Sequence, residues 1–388
     1  MEVTILNTEF KPIGIIDNYK SLIWTDRYDE AGDFELHIPL QGKIPENLEK
    51  DYYLRNENSE HMMIIESLTV ETDIESGATL VVSGRSLESI LDRRIVWDKR
   101  VFYRKTAESE KPNLQYIIGQ LLNENIIDPS IIIRKISNFI FEESTDERIT
   151  SLTFEGEFLG EDLYSVVTKL CKQEKIGFKV TLNDLNQFVF KLYKGTDRSY
   201  AQSENPYVVF SPEYDNILNS SYLDSYSKWK NVTLVVGEQE FKDNGEEESR
   251  IQYVLLEGSD ELLTDEEGSE SQYDELKRRE IFTDATSLSQ DDGYGGTMEP
   301  EAYQAHLKQK AIDTLMDNTV VMAFDGEVDA TRMYIYGEDF FVGDIVQTAN
   351  EYGNEGSSLV SELVISCEES GTSIYPTFKS IQEGVYET

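Results

Sequence analysis

This chain is short of cations, cysteines, histidines and long apolar runs, and each shortage closes off a class of function. It carries 35 Lys and Arg against 75 Asp and Glu, a formal net charge of −40. Gripping a nucleic acid takes Lys and Arg to displace the counterions around phosphates, so the deficit argues against a nucleic-acid-binding surface. It argues equally against docking on an anionic membrane. Two cysteines make no zinc cluster. Cys171, on an apolar helical face, and Cys367, in a strand pattern, read as buried free thiols rather than a disulfide. The three histidines, His37, His61 and His306, are isolated, with no HExxH pair; His306 is placed near the polar face of a helix. No apolar stretch approaches the roughly 20 residues of a membrane-spanning helix. The N-terminus, MEVTILNTEF, has neither the basic start nor the apolar core of a secretory signal. A soluble product made in the cytoplasm is expected.

Catalytic signatures are missing too. There is no GxSxG elbow and no phosphate-cradling GxxxxGKS loop. Asp291–Gly296 reads DDGYGG, without the strand-to-helix setting or downstream acid of a dinucleotide fingerprint. Ser225 and Lys228 give SxxK by spacing, a short permissive pattern. The sequons at Asn219 and Asn231 mean nothing without a secretory route. Residues 238–275 hold 15 acidic and two basic side chains and read as a solvated loop or edge hairpin. Asp260, Glu261, Asp265, Glu266 and Glu267 cluster there but lack the spacing of an EF-hand loop. No carboxylate sits in a local context that would raise its pKa by burial, as a general acid requires. The sequence therefore assigns no catalytic residue, no cofactor and no metal site. Paired acids need no signature, so a cell-wall hydrolase stays as one alternative. A carbohydrate-binding receptor module is the other, with Trp24, Trp97 and Trp229 as stacking candidates.

What is present points to β-structure. Tyr (22) and Phe (17) are plentiful, and 388 residues allow two to four packed domains. Alternation predicts strands at Val3–Asn7, Ile13–Asp17, Leu22–Tyr28, Phe34–Leu40 and Met62–Asp73, continuing through Leu80–Ser83. Helical spacing follows in Gly84–Ile95, in the stripe Leu114, Ile117, Ile118, Leu121 and Leu122, and from about Gly160 to Lys175, with Gly177 as its C-cap. A hairpin is expected over Phe178–Leu182 and Phe188–Tyr193, strands at Tyr207–Phe210, Asn219–Tyr226 and Lys230–Gly237, and a helix opened by Pro300.

Two distant stretches nearly match. Ile64–Gly84 reads IIESLTVETDIESGATLVVSG and Val360–Phe378 reads VSELVISCEESGTSIYPTF. Each is a long alternating strand, an acidic turn ending in Ser-Gly (Ser76-Gly77, Ser370-Gly371) and a second β-rich run. The fold class read from this is α+β and β-rich, with two similar β-barrel-like modules at the N- and C-termini and an intervening α/β segment. The divisions are 1–98 for the N-terminal module and 99–205 for an α/β domain of two helices and a hairpin. Residues 206–318 form a β-rich connecting domain with an acidic hairpin and one helix, and 319–388 the C-terminal module.

Several motifs, in order, resemble the tail-hub proteins of long-tailed bacteriophages. That family includes the N-terminal structural region of tail-associated lysins and the trimeric baseplate hub of contractile tails. The motifs are GDFELHIPL (Gly32–Leu40), SGRSLESILDRRI (Ser83–Ile95), Lys230-Asn231-Val232 before VVGE, IFTDATSL (Ile281–Leu288), Glu301–Tyr303 and DFFVGDIV (Asp339–Val346). Arg85, Arg93 and Arg94 are placed to pair with local carboxylates or a neighbouring subunit. The resemblance implies a homotrimer with two β-barrels per subunit, facing the tail tube or distal tail ring at the virion's tail tip. It implies the tape measure protein and receptor-binding or fibre proteins as neighbours, and a channel through which DNA passes without specific binding. The chain stops at Thr388, with no peptidase, glycosidase or fibre-like repeat after the last β pattern, so no lytic activity is carried over.

Overall fold

The computed structural model describes residues 2–40, 42–73, 77–102, 110–238, 251–259, 261–264, 273–290, 297–328, 333–350, 355–368 and 371–380, with backbone alone for 218–220, 321–328 and 380. The first strands are β1 (Val3–Leu6), β2 (Pro12–Ile16), β3 (Ser21–Arg27), β4 (Asp33–Pro39), β5 (Tyr53–Asn56), β6 (Met62–Asp73) and β7 (Gly77–Ser86). A 3-10 helix, Leu87–Arg93, leads through β8 (Arg100–Phe102) into the α/β segment. That segment holds α1 (Leu114–Leu122), β9 (Phe139–Glu142), α2 (Glu147–Thr150), β10 (Gly156–Phe158), α3 (Leu163–Gln173), β11 (Gly177–Leu182) and β12 (Phe188–Tyr193). Then come β13 (Val209–Phe210), β14 (Ile217–Ser225), β15 (Val232–Val236), β16 (Gln252–Leu256), β17 (Glu280–Asp284) and α4 (Pro300–Met316). The chain closes with β18 (Val321–Val328), β19 (Ile345–Ala349), β20 (Glu355–Glu368) and β21 (Gly371–Ser380).

Local chemistry fixes the helices. Asn113 caps α1 by accepting the Tyr116 amide at 3.0 Å. Asp162 caps α3 by accepting from the amides of Tyr164 and Ser165. The expected stripes, Leu114 to Leu122 and Leu163 to Cys171, are buried in one core with the 3-10 helix and the β11–β12 hairpin. A second core fills the main sheet around Trp24, Phe210 and Phe378. A third lies between α4 and the three-stranded sheet β16-β15-β17, which is inserted between β14 and β18. Both cysteines are buried and free.

The two modules share one 13-stranded sheet, ordered β14-β18-β21-β20-β3-β4-β7-β6-β5-β1-β2, with β19 pairing β20 and β13 pairing β19. The sheet is open, so the expected pair of closed barrels is not what these pairings form: β2 and β14 stand at its two ends. Within it one five-strand motif occurs twice. β3-β4-β7-β6-β5 and β14-β18-β21-β20-β19 have the same order and the same antiparallel pairings.

The likeness extends to register. In β6 the ladder with β7 runs unbroken from Asp73↔Gly77 to Ser67↔Ser83, then bulges at Glu66. In β20 the ladder with β21 runs from Glu368↔Gly371 to Glu362↔Thr377, then bulges at Ser361. Both arms hold the same number of pairs. Before the bulge, Asp51 N donates to Ile65 O and Ile65 N to Tyr52 O; Gly343 N donates to Val360 O and Val360 N to Asp344 O. Asp51 (φ 66) and Gly343 (φ 97) both take the left-handed conformation in these matching turns. At Gly343 glycine is required twice over, because a Cβ would stand 2.6 Å from Tyr28 Cε2. Gly84 of the Gly-Arg-Ser-Leu motif lies across from the β6 bulge, where a Cβ would stand 1.8 Å from Ile64 O.

Three expectations change. The helix expected over Gly84–Ile95 begins only at Leu87, because β7 continues to Ser86. Gly177 opens β11 and does not cap α3; Lys175 (φ 52) makes the left-handed turn instead. His306, placed near the polar face of its helix, is buried on α4.

Candidate assembly surfaces

The joint between the two modules is a seven-pair antiparallel ladder within the chain. The β20 arm beyond its bulge pairs with β3, from Glu362↔Arg27 to Glu368↔Ser21. The bulge is used: Tyr28 N donates to Ser361 O at 3.0 Å. At the end of the ladder Arg27 Nε donates to Glu362 Oε2 at 2.6 Å and its Nη1 pairs with Asp33 at 2.7 Å. Ile365 sits opposite Trp24, and both are buried.

Among the described residues the matching arm of β6 takes no second strand. Among the described residues, β5 meets β6 at Met62, Met63 and Ile64 alone, and from Ser67 onward β6 pairs with β7 alone. Every residue of that arm is exposed except the half-buried Leu68. At the far end of the sheet, among the described residues, β14 pairs with β18 alone. Its Tyr222 and Leu223 are large exposed side chains. Long bare strand edges are templates for adding another strand.

A buried ionic cluster lies under the joint. Asp26, at a β3 position opposite Leu363, accepts from Trp24 Nε1 at 3.1 Å, from Ser59 Oγ at 2.8 Å and from the Tyr336 hydroxyl at 3.4 Å. His61 Nδ1 meets Glu88 Oε1 at 3.2 Å, and that oxygen also accepts the Val180 amide at 2.7 Å. Burial pushes the Asp26 carboxyl up, with His61, Ser59 and Trp24 offsetting only part of it. Burial would depress His61, but Glu88 and Asp26 outweigh it and push the imidazole up to about 9. Glu88, which burial alone would raise, is held below its usual range by His61 and by hydrogen bonds. The cluster draws on both modules and on β11, so it ties three parts of the chain. It corrects the expectation that no carboxylate has its pKa raised by burial. Asp29, Glu161, Glu174 and Glu257 are raised by burial as well.

The other sequence candidates disperse. Trp24 is core, while Trp97 lies half-exposed beneath the Arg134 guanidinium at 4.8 Å. Trp229 donates to Glu257 at 3.0 Å and is covered by Arg279. The three do not form one stacking platform. Ser225 bonds Ser227, not Lys228. His37 meets Glu35 at 2.7 Å on the surface. Asp260, Asp265, Glu266, Glu267, the DDGYGG loop, Ser76 and Ser370 lie outside the described residues; Glu261 is exposed. No group of three or more His, Cys, Asp or Glu among the described residues is arranged to hold a metal ion. No helix of the described residues is long and apolar enough to cross a membrane.

Arg85 forks onto Glu66 with both contacts at 3.0 Å and reaches Asp92, and Arg93 pairs with Asp51. Arg94 instead donates to the carbonyls of Arg93 and Arg134. Asp344 of the DFFVGDIV motif is buried, accepting from Thr196 N at 2.7 Å and Arg198 Nε at 2.9 Å. It fastens the second module to the end of the α/β segment. Sequence reading missed the two bare edges. Their signal was present in the long matching hairpins; among the described residues the outer arm of β20 pairs with a third strand and that of β6 does not.

Known proteins place this architecture. The chain has the fold of a 43 kDa tail protein from prophage MuSo2 of Shewanella oneidensis, with a TM-score of 0.57 at 11% identity over 98% of both chains. A tail protein from Neisseria meningitidis MC58 gives 0.52 at 10% identity, over 98% of this chain and 96% of that one. No curated protein matches the sequence. Residues 2–378 match the family described as Siphovirus ReqiPepy6 Gp37-like protein, and the chain belongs to that family.

Proposed function

We propose that this protein is a structural hub of a phage tail tip, built as a trimer that presents six similar sheet modules to a six-fold ring. The reading is carried by one observation, the doubled five-strand motif whose two copies are joined edge to edge inside one chain. Three such chains placed head to tail would repeat that joint around a ring. The ring would adapt the three-fold tip to the tail tube or distal tail ring, with the tape measure protein and receptor-binding or fibre proteins as further neighbours. Family membership and the tail-protein fold support a place in the virion.

The charge acquires a use in this reading. Each copy brings −40, and acid facing a central channel repels a passing polyanion over the 8–10 Å that salt leaves unscreened. DNA would pass without being held. The test is the mass of the full chain by light scattering at micromolar concentration, together with binding to the purified tail-tube and distal-tail proteins of the same phage. A trimer that binds either is expected. A monomer that binds neither would overturn the reading.

A further inference from the structure

In a chain with 75 acids, an arginine that meets no carboxylate stands out. Arg94 and Arg134 are two of these, side by side. Arg94 Nε donates to the Arg134 carbonyl and its Nη1 to the Arg93 carbonyl, both at 2.7 Å. Arg134 Nη2 donates to the Ile95 carbonyl at 2.8 Å and to Asn125 Oδ1 at 3.1 Å. Asn125 is buried and held in turn, donating to the Leu121 carbonyl at 2.9 Å and accepting the Trp97 amide at 3.1 Å. Among the described residues, then, both guanidiniums bond only to neutral oxygens. Burial, then Arg134 and Arg93, hold Arg94 below its usual range, which is the mark of positive charge without a counter-ion.

The same place carries apolar surface that no core takes up. Ile131, Ile132 and Ile133 enter the 3-10 turn Ile132–Arg134 and are 38%, 68% and 86% exposed. Ile126 and Ile136, on either side, pack into or against the α/β core, and these three do not. Trp97 is 50% exposed, with the Arg134 guanidinium 4.8 Å from its ring centroid. Trp97, Ile131, Ile133, Arg94 and Arg134 line one open groove of about 560 Å³. A single exposed isoleucine needs no explanation. Three in a row beside a half-exposed indole mark a surface that meets something.

We propose that this groove docks a partner protein through a short acidic segment, whose carboxylates meet Arg94 and Arg134 while flanking apolar side chains cover Trp97 and Ile131–Ile133. Charge complementarity selects this occupant. Arg94 Nη2 and the Nε and Nη1 of Arg134 make no hydrogen bond among the described residues, and a guanidinium fork fits a carboxylate. Arg134 is already stacked on the indole and bonded at Nη2, so little freedom is lost when an acid arrives. A nucleic acid or an anionic bilayer suits the groove badly. Its charge would run past two arginines and over a chain of net charge −40. One or two carboxylates keep their charge on the arginines, and the rest of the contact is apolar. Trp and Arg at its centre are the residue types that carry binding energy in protein interfaces.

A random dodecapeptide library panned on the full chain tests this, with Arg94→Gln and Ile133→Ser chains as counter-selection. Arg94 also braces the Arg134 turn, so R94Q could disturb the fold. Ile133 touches no core, so I133S changes exposed surface alone. Peptides kept by the wild type and released by both variants should be rich in Asp or Glu next to Leu, Ile or Phe. A fluorescein-labelled copy of one of them should bind in anisotropy titrations. Its affinity should fall about tenfold with I133S, with R94Q, and on Glu→Gln or Asp→Asn exchange in the peptide.

A library that yields nothing the variants release, or peptides with no excess of acid, would overturn the proposal. Equal binding of the labelled peptide by wild type and I133S would do the same. Phosphatidylglycerol vesicles that float with the wild type and not with I133S would reassign the groove to a membrane. A drop in mass by light scattering on I133S would reassign it to a second copy of this chain. A monomer that keeps the acidic peptides would sink the hub reading and leave the groove standing.

Discussion

Replacing His61 with Gln should cost the fold stability that depends on pH in one direction. His61 is buried against Glu88, with Asp26 close by, and its pKa stands at about 9 in place of 6.5. A histidine raised on folding stabilises the native state fully below its unfolded pKa, and that contribution fades as pH rises through the folded value. The window is therefore pH 6.5 to about 9. A rise of this size corresponds to roughly 3.5 kcal/mol at most, at about 1.4 kcal/mol per pH unit. Removing the cation leaves Glu88 buried without its counter-charge, an effect of the same order. Asp26 acts with the opposite sign. Its raised carboxyl costs stability above its ordinary range, and losing His61 would raise it further. The assay is urea unfolding of wild type and H61Q at pH 6 and pH 10, followed by Trp24 fluorescence with Trp97 and Trp229 replaced by Phe. We expect H61Q to lose roughly 3 kcal/mol at pH 6 and little at pH 10. Equal losses at the two pH values would refute the ionic account and leave only packing.

Gly343→Ala combines a left-handed φ of 97 with a Cβ 2.6 Å from the Tyr28 ring, and should cost about 2–4 kcal/mol. Gly42→Ala, at φ 95 with nothing within 4 Å, should cost about 1 kcal/mol in the same thermal scan, and equal losses would remove the Tyr28 contact as the cause. Glu362→Gln should weaken the module joint by about 1 kcal/mol at low salt, and the loss should shrink in 1 M salt, where the Debye length is about 3 Å. Asp313→Ala cuts the contacts that α4 makes with Lys169 and Gln173 of α3. It should speed amide exchange on the facing sides of both helices while the main-sheet amides hold, and slowed or unchanged exchange would refute the docking role.

The strands were legible because their alternation is strong. Strands β6 and β12 were read at the bounds the structure gives, and β11 one residue short at its start. Strand β5 was missed because Tyr53–Asn56 is too short to show a period, and it is fixed by pairing on both sides instead. Asp26 was missed because β3 breaks its own alternation: Trp24, Thr25 and Asp26 are all buried, with a ladder partner on each edge. Glu88 was missed because the 3-10 helix buries Leu87 to Leu91 on every side, so the helical stripe gave no sign of it. The repeat was visible in the hairpins, but the entry of β14 into the second copy was not. An inserted sheet and helix separate it from β18 along the chain.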